Sequence, residues 1–146
     1  MIIAANVETE KDYELRMDML GLTEHFLLQK ELHSTIVYYS DIILKMILIP
    51  AVVWRVGKPN VSVRKASVIC MIKLLENSLI DPNKFHVSFR TLFDSLKNCL
   101  DDDWVNDIRY AALILVKQMI IHSGDVFETD DMNLIYPELL KRLDDA

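Results

Sequence analysis

The chain has 146 residues, 51% of them apolar, with only 3 glycines, 4 prolines and 2 cysteines, and a formal net charge of −6. That length suffices for one domain with a sizeable core, and so little turn-forming material argues for an all-helical chain. The acidic balance excludes a general nucleic-acid binder, which needs a basic footprint to meet phosphates.

In chain order, the apolar spacing predicts six helices. The opening MIIAANVETE has no basic start and too short an apolar run for a signal peptide. The first helix is expected over 11–29, where Leu15, Met19, Leu22, Phe26 and Leu27 recur at helical spacing. The second is expected over 34–54, with Ser34 as N-cap and a bend at Pro50, whose ring and missing N–H disrupt the helix. Its apolar run, Ile42 to Trp54, covers 13 residues, too few to span a bilayer. Gly57-Lys58-Pro59-Asn60 reads as a loop, and the third helix follows over 61–76. The fourth, over 83–99, carries an i, i+4, i+7, i+8, i+11 stripe of Phe85, Phe89, Leu92, Phe93 and Leu96, the pattern of a core-facing helix. Asp101, Asp102 and Asp103 stand at a turn, where carboxylates cap and favour the N-terminus of the next helix. That fifth helix is expected over 104–122, closed by Ser123-Gly124 as a C-cap, and the sixth over 132–143.

The helices repeat. Leu15-Arg16, Val63-Arg64 and Ile108-Arg109 each pair an apolar residue with an arginine at the head of an apolar helix, and the arginines lie 48 and 45 residues apart. In a second register, Ile49 to Val56 (IPAVVWRV) matches Tyr136 to Leu143 (YPELLKRL). Helix pairs at a period of 40 to 50 residues point to an α-solenoid of the HEAT or armadillo kind, whose units stack to share one core and bind other proteins along an extended surface. The single segment 1–146 then divides into a second helix (11–29), two units (34–76 and 83–122) and the first helix of a further unit (132–146). Both ends are open on this reading, as expected of a piece of a longer solenoid or a shortened relative; open apolar ends also offer a route to self-association.

Chemistry is sparse. His25, His33, His86 and His122 show no zinc spacing and read as surface or helix-end residues. Three isolated glycines form no phosphate loop, and no serine stands in a GxSxG setting. No enzyme activity and no cofactor are expected. Cys70 and Cys99 read as buried, reduced thiols of a cytoplasmic protein. Charge is uneven. Residues 1–50 carry 4 basic and 8 acidic side chains, residues 51–100 carry 8 and 3, and residues 101–146 carry 4 and 11. The basic middle is either a set of ordinary solvated faces or a stripe that meets an acidic partner.

An acidic turn followed by an arginine early in the next helix is the HEAT signature. Asp101-Asp102-Asp103 with Arg109 shows it, and Gly57 with Arg64 shows it weakly. The strings Tyr136-Pro-Glu-Leu-Leu-Lys-Arg-Leu-Asp-Asp145, Trp54-Arg-Val-Gly57 with Arg64 to Cys70, Leu100 to Asp103 with Arg109, and Gly21 to His25 resemble the HEAT-repeat dynein axonemal assembly factors, in particular factor five of that series. The resemblance runs from about Asp18 to Asp145, and its most specific string is YPELLKRLDD. It implies a cytoplasmic scaffold without chemistry that helps preassemble axonemal dynein arms by holding dynein chains, chaperones or co-assembly factors. A HEAT scaffold of another pathway, such as transport or phosphatase assembly, is the alternative. Neither nucleic acid nor membrane is an expected partner. In such proteins the second helices line the concave side, which proposes Lys65, Lys73, Tyr110 and Lys117 as partner contacts. Arg16, Arg64 and Arg109 with the three aspartates would then form a ladder between units.

Overall fold

A computed structural model of the chain describes residues 13–55, 57–102 and 105–144, and among these every regular element is helical. Helix α1, Tyr13–Leu28, buries Arg16, Leu20 and Leu27 on one side. A 3-10 turn, Lys30–Leu32, leads into α2, His33–Ile43. Ser34 is not its N-cap. Leu32 holds that place, and no side chain caps the helix. Instead the His33 ring donates from Nε2 to the Leu27 carbonyl at 2.9 Å, tying the head of α2 to the tail of α1.

Pro50 shapes this region differently from a simple bend. The chain widens into a π-helical turn over Leu44–Leu48 and re-enters α-helix as α3, Ile49–Val52. The Ile49 N–H reaches back to the Leu44 carbonyl, five residues away, so the ladder shifts register just ahead of the residue that has no N–H to give. The helix stops at Val52, short of Trp54, where Val53 turns to ψ 131°. The matched string YPELLKRL stays helical, because Glu, Leu, Lys and Arg favour helix where paired valines favour extended backbone. The continuous helical run Lys30–Val52 has 23 residues and contains an 18-residue stretch with a mean hydropathy of 1.6, long and apolar enough by length and composition to cross a membrane, whereas the apolar sequence run had suggested 13. Its buried side chains, Ile36, Leu44, Leu48 and Val52 among them, join the common core, and the run packs on α1 and α4.

Helix α4, Lys58–Glu76, starts three residues before the expected Val61. Gly57 precedes it at φ +110°, a conformation that a side chain would strain, and Pro59 sits in its first turn, where no donor is lost. Asp81 caps α5, Pro82–Leu100, by accepting from the N–H groups of Asn83 and Lys84. Helix α6 spans Asn106–Ser123. Gly124 is right-handed and opens a 3-10 turn, Gly124–Val126, so it is a hinge into the next element and not a left-handed C-cap. Helix α7, Thr129–Asp144, begins three residues earlier than expected and runs through Pro137.

Helix α4 packs against both α1 and α6; α5 packs against α3, α6 and α7; and α1 meets α2 as α3 meets α4. One contiguous core runs from Leu20 to Ile135 and includes Phe85, Phe89, Leu92, Phe93 and Leu96 of the α5 stripe.

Candidate functional site

The repeated arginines are the first candidates, and two of them, Arg16 and Arg64, are buried. Arg16 is buried, and its Nη2 donates to Asn60 Oδ1 at 3.3 Å, so an amide in the first turn of α4 meets the arginine of α1. Arg64 is 2% exposed. Its Nη1 donates to the Arg55 carbonyl at 3.1 Å, and its Nη2 lies 3.6 Å from Asp102. Asp102 also accepts from the Val105 N–H at 3.0 Å, so one carboxylate joins the turn before α6 to the middle of the stack. A cleft of about 460 Å³ opens beside this pair, walled by Trp54, Gly57 and Val105. Arg109 is half-buried near the head of α6. Asp101 pairs with Arg142 of α7, and Asp103 lies outside the described residues. A guanidinium held this way in low dielectric fixes helix positions and has little freedom to serve a ligand.

The proposed contact residues stand on α4 and α6. Lys65 reaches across to Asp107 at 3.1 Å, one turn ahead of Tyr110, so the two helices present these side chains next to each other. Lys73 pairs with Glu76 at 3.2 Å. Tyr110 is 68% exposed, and Lys117 is exposed further along α6. The basic middle third is therefore largely matched from within: Lys97 meets Asp94 and Arg90 meets Asp131, besides the pairs of Arg64, Lys65 and Lys73. Tyr110 offers area to a partner, whereas Lys65 and Lys73 offer charge that carboxylates of this chain already share.

The sequence reading missed a second polar cluster. Asp131 is 1% exposed and accepts from His86 Nε2 at 2.7 Å, from the Glu128 N–H at 2.9 Å and from Arg90 Nε at 3.4 Å. Burial acts to raise its carboxyl; the Glu128 N–H, His86 and Arg90 outweigh that and hold it below the ordinary carboxylate value. His86 thus anchors the start of α7 to α5, with Phe127 packed on Phe89 at 4.7 Å beneath it. His122 is also engaged at both nitrogens, by the Ile80 carbonyl at 2.8 Å and the Ser123 hydroxyl at 2.6 Å. Cys70 and Cys99 are buried thiols, and burial pushes them up to about 12 and about 11, far from a reactive thiolate. Among the described residues no group of three or more His, Cys, Asp or Glu is placed to hold a metal ion.

These observations define the class: a protein all-helical in its described residues, whose described polar clusters hold helices to one another. Comparison with known proteins adds a particular likeness. The chain is similar to dynein axonemal assembly factor 5 of Mus musculus, 29% identical over 108 residues that make up 74% of this chain and 12% of the mouse protein. It is also similar to dynein axonemal assembly factor 5 of Homo sapiens, 24% identical over 148 residues, and of Xenopus laevis, 23% over 153 residues, each alignment covering 99% of this chain. The chain spans less than a fifth of the length of these relatives, 17% of the human and 18% of the frog protein. No protein-family model and no solved structure matches it.

Proposed function

We propose that the chain forms part of an α-solenoid of the HEAT kind and acts as a non-enzymatic protein-binding scaffold in the cytoplasmic preassembly of axonemal dynein arms. The observation that carries this reading is the similarity to dynein axonemal assembly factor 5 over 99% of the chain in the human alignment. The helix packing supports it. Helix α4 packs against both α1 and α6, each of the three carries an apolar–arginine pair in its first two turns, and the Arg16–Asn60 and Arg64–Asp102 contacts link one helix of the series to the turn or first turn of the next. Partners on this reading are dynein chains, chaperones or co-assembly factors. The face of α4 and α6 that holds Lys65, Lys73, Tyr110 and Lys117 is the proposed contact stripe, with Tyr110 and Lys117 exposed on α6.

The test is quantitative affinity capture with the tagged chain from cytoplasm of cells that are building cilia, against a tag-only control. Enrichment of dynein heavy or intermediate chains together with chaperones supports the reading. A reproducible partner set that contains neither, such as transport adaptors or phosphatase subunits, sinks the dynein assignment and favours a HEAT scaffold of another pathway.

A further inference from the structure

The stretch Arg64-Lys65-Ala66-Ser67-Val68 holds a second pattern beside the repeat arginine. An arginine three residues before a serine, a lysine two before and an apolar residue after it make the string that basic-directed protein kinases accept, because their carboxylates meet the two cations. It stands once in the chain. Of Arg16, Arg55, Arg64, Arg90, Arg109 and Arg142, only Arg64 has a serine or threonine three residues on. The fold hides it. Ser67 is 0% exposed within α4, and its Oγ donates to the Leu48 carbonyl at 2.7 Å. Arg64 is buried with it, held by the Arg55 carbonyl and by Asp102. Helix α4 packs against α1, α3 and α6, so freeing Ser67 means undoing the core and not fraying an edge.

We propose that Ser67 is a phosphorylation site of the unfolded chain alone, and that phosphate and fold exclude each other. In the transfer, the γ-phosphoryl group of ATP passes to Ser67 Oγ. The new P–O bond forms there, the bond to the departing ADP breaks, and the hydroxyl proton goes to the aspartate base of the kinase. The attacking hydroxyl must stand in line with the phosphate, which a serine with no exposed surface inside a helix cannot do. In the unfolded chain the string is open to the enzyme. The product cannot fold back. A phosphoserine carries a charge of about −1.5 to −2 at pH 7 on acceptor oxygens. At Ser67 the fold presents the Leu48 carbonyl, itself an acceptor, and Arg64 one turn back is already held elsewhere. Burying such a charge without a partner exceeds what a domain's stability can offset. Phosphate therefore marks chains that have not folded and keeps them so.

The test incubates the purified chain with ATP and the catalytic subunit of a cyclic-AMP-dependent protein kinase, and follows Ser67 by tandem mass spectrometry. A peptide of residues 60–72 should be phosphorylated at Ser67. The folded chain should be labelled there at least about a thousandfold more slowly, because its open form is that rare. Phe89→Ala, which weakens the core from another helix, should label at least about a hundredfold faster than the parent chain. Ser67→Ala should abolish the label and keep the circular dichroism of the parent, whereas Ser67→Glu should lose the cooperative urea transition. Phosphatase treatment of the labelled Phe89→Ala chain should return it to the helicity it had before labelling. That step separates the charge from the lost hydrogen bond even where a variant folds poorly. A peptide left unlabelled at Ser67 overturns the proposal, since the string is then not recognised. So does a folded chain labelled there as fast as the peptide, which would mean that the fold shields nothing. A Ser67→Glu chain with the urea midpoint of the parent, or a phosphorylated chain as helical as its unmodified form, overturns the exclusion between phosphate and fold.

Discussion

Helices α5 and α7 pack against each other, yet different forces hold them. Helix α5 buries Phe85, Phe89, Leu92, Phe93, Leu96, Cys99 and Leu100, and it packs on α3 and α6 as well as α7. Helix α7 buries only Asp131 and Ile135 and is fixed by polar contacts at its two ends, Asp131 with His86 and Arg90 at the start and Arg142 with Asp101 near the finish. An interior helix has neighbours for all its apolar positions. An edge helix has them for one side, and Met132, Tyr136, Leu140 and Leu143 are left in solvent. Apolar burial is spread along α5 and fails only as a whole, whereas the hold on α7 is concentrated in a few groups that can be removed singly.

That contrast breaks first at Phe89. It is fully buried, stacked on Phe93 at 5.5 Å and packed on Phe127 at 4.7 Å. Phe89→Ala should cost about 3–5 kcal/mol through lost transfer energy and a cavity. Against a total of about 5–15 kcal/mol for an ordinary domain, this threatens the whole fold. Urea denaturation should show one cooperative transition moved strongly to lower concentration. A loss below about 1 kcal/mol would mean that α5 is not the centre of the core.

Asp131→Asn tests the other side. It keeps the shape and removes the charge that His86 and Arg90 meet, at an expected cost of about 1–3 kcal/mol. The loss should be local: native-state hydrogen exchange should quicken in Gly124–Val126 and α7 while α4 and α6 keep their protection. Uniform loss across all helices would erase the distinction between interior and edge. The same group predicts a pH dependence. Its carboxyl is held below the ordinary value of 3.8, so in the folded state it stays ionised to lower pH than in the unfolded chain. Its contribution is therefore complete above the unfolded pKa and is lost as pH falls through the lower folded value. Exchange from α7 should rise on that acid limb in the parent chain, and Asp131→Asn should flatten the response.

The two kinds of contact differ in how far they could be read from sequence. The α5 stripe is a local pattern: a period of 3.6 over twelve residues reveals a buried face without knowledge of what covers it. Asp81-Pro82 also carried a readable signal, an acidic N-cap before a proline at the first helical position, although the fourth helix was expected to start at Asn83. The clamp on α7 left no such trace, because His86 and Asp131 are 45 residues apart and either alone looks like a surface residue. The response to Pro50 was half legible. Proline announces that a hydrogen bond is lost, but whether the chain kinks, stops or widens into a π turn depends on the packing around Leu44, Leu48 and Val52. The repeated arginines were found by spacing, yet the acceptor for Arg16 proved to be Asn60, inside a helix whose start had been read as loop.

Arg16 and Arg64 form a smaller comparison within the stack. Arg64 meets a carboxylate, and Arg16 meets an amide. Asn60→Asp would give Arg16 a charged partner and place a negative charge in the first turn of α4, where the helix dipole favours it. A gain of about 0.5–1 kcal/mol is expected in urea denaturation. A loss of that size would mean that the Asn60 amide gives hydrogen bonds a carboxylate cannot.

The smallest effect is expected at the exposed lysines, and there binding and stability should part. Lys65 and Lys73 pair with Asp107 and Glu76 at the surface, and exposed pairs contribute about 0.2–1 kcal/mol each. Lys65→Glu with Lys73→Glu replaces two attractions by two repulsions, so the midpoint of unfolding should fall only slightly and helicity should not change. If the face of α4 and α6 takes an acidic partner segment, the double variant should lose capture of that partner far beyond what its stability explains. Unchanged capture would show that these lysines serve the stack alone, and would leave the exposed Tyr110 and Lys117 as the members of that face on which a partner could depend.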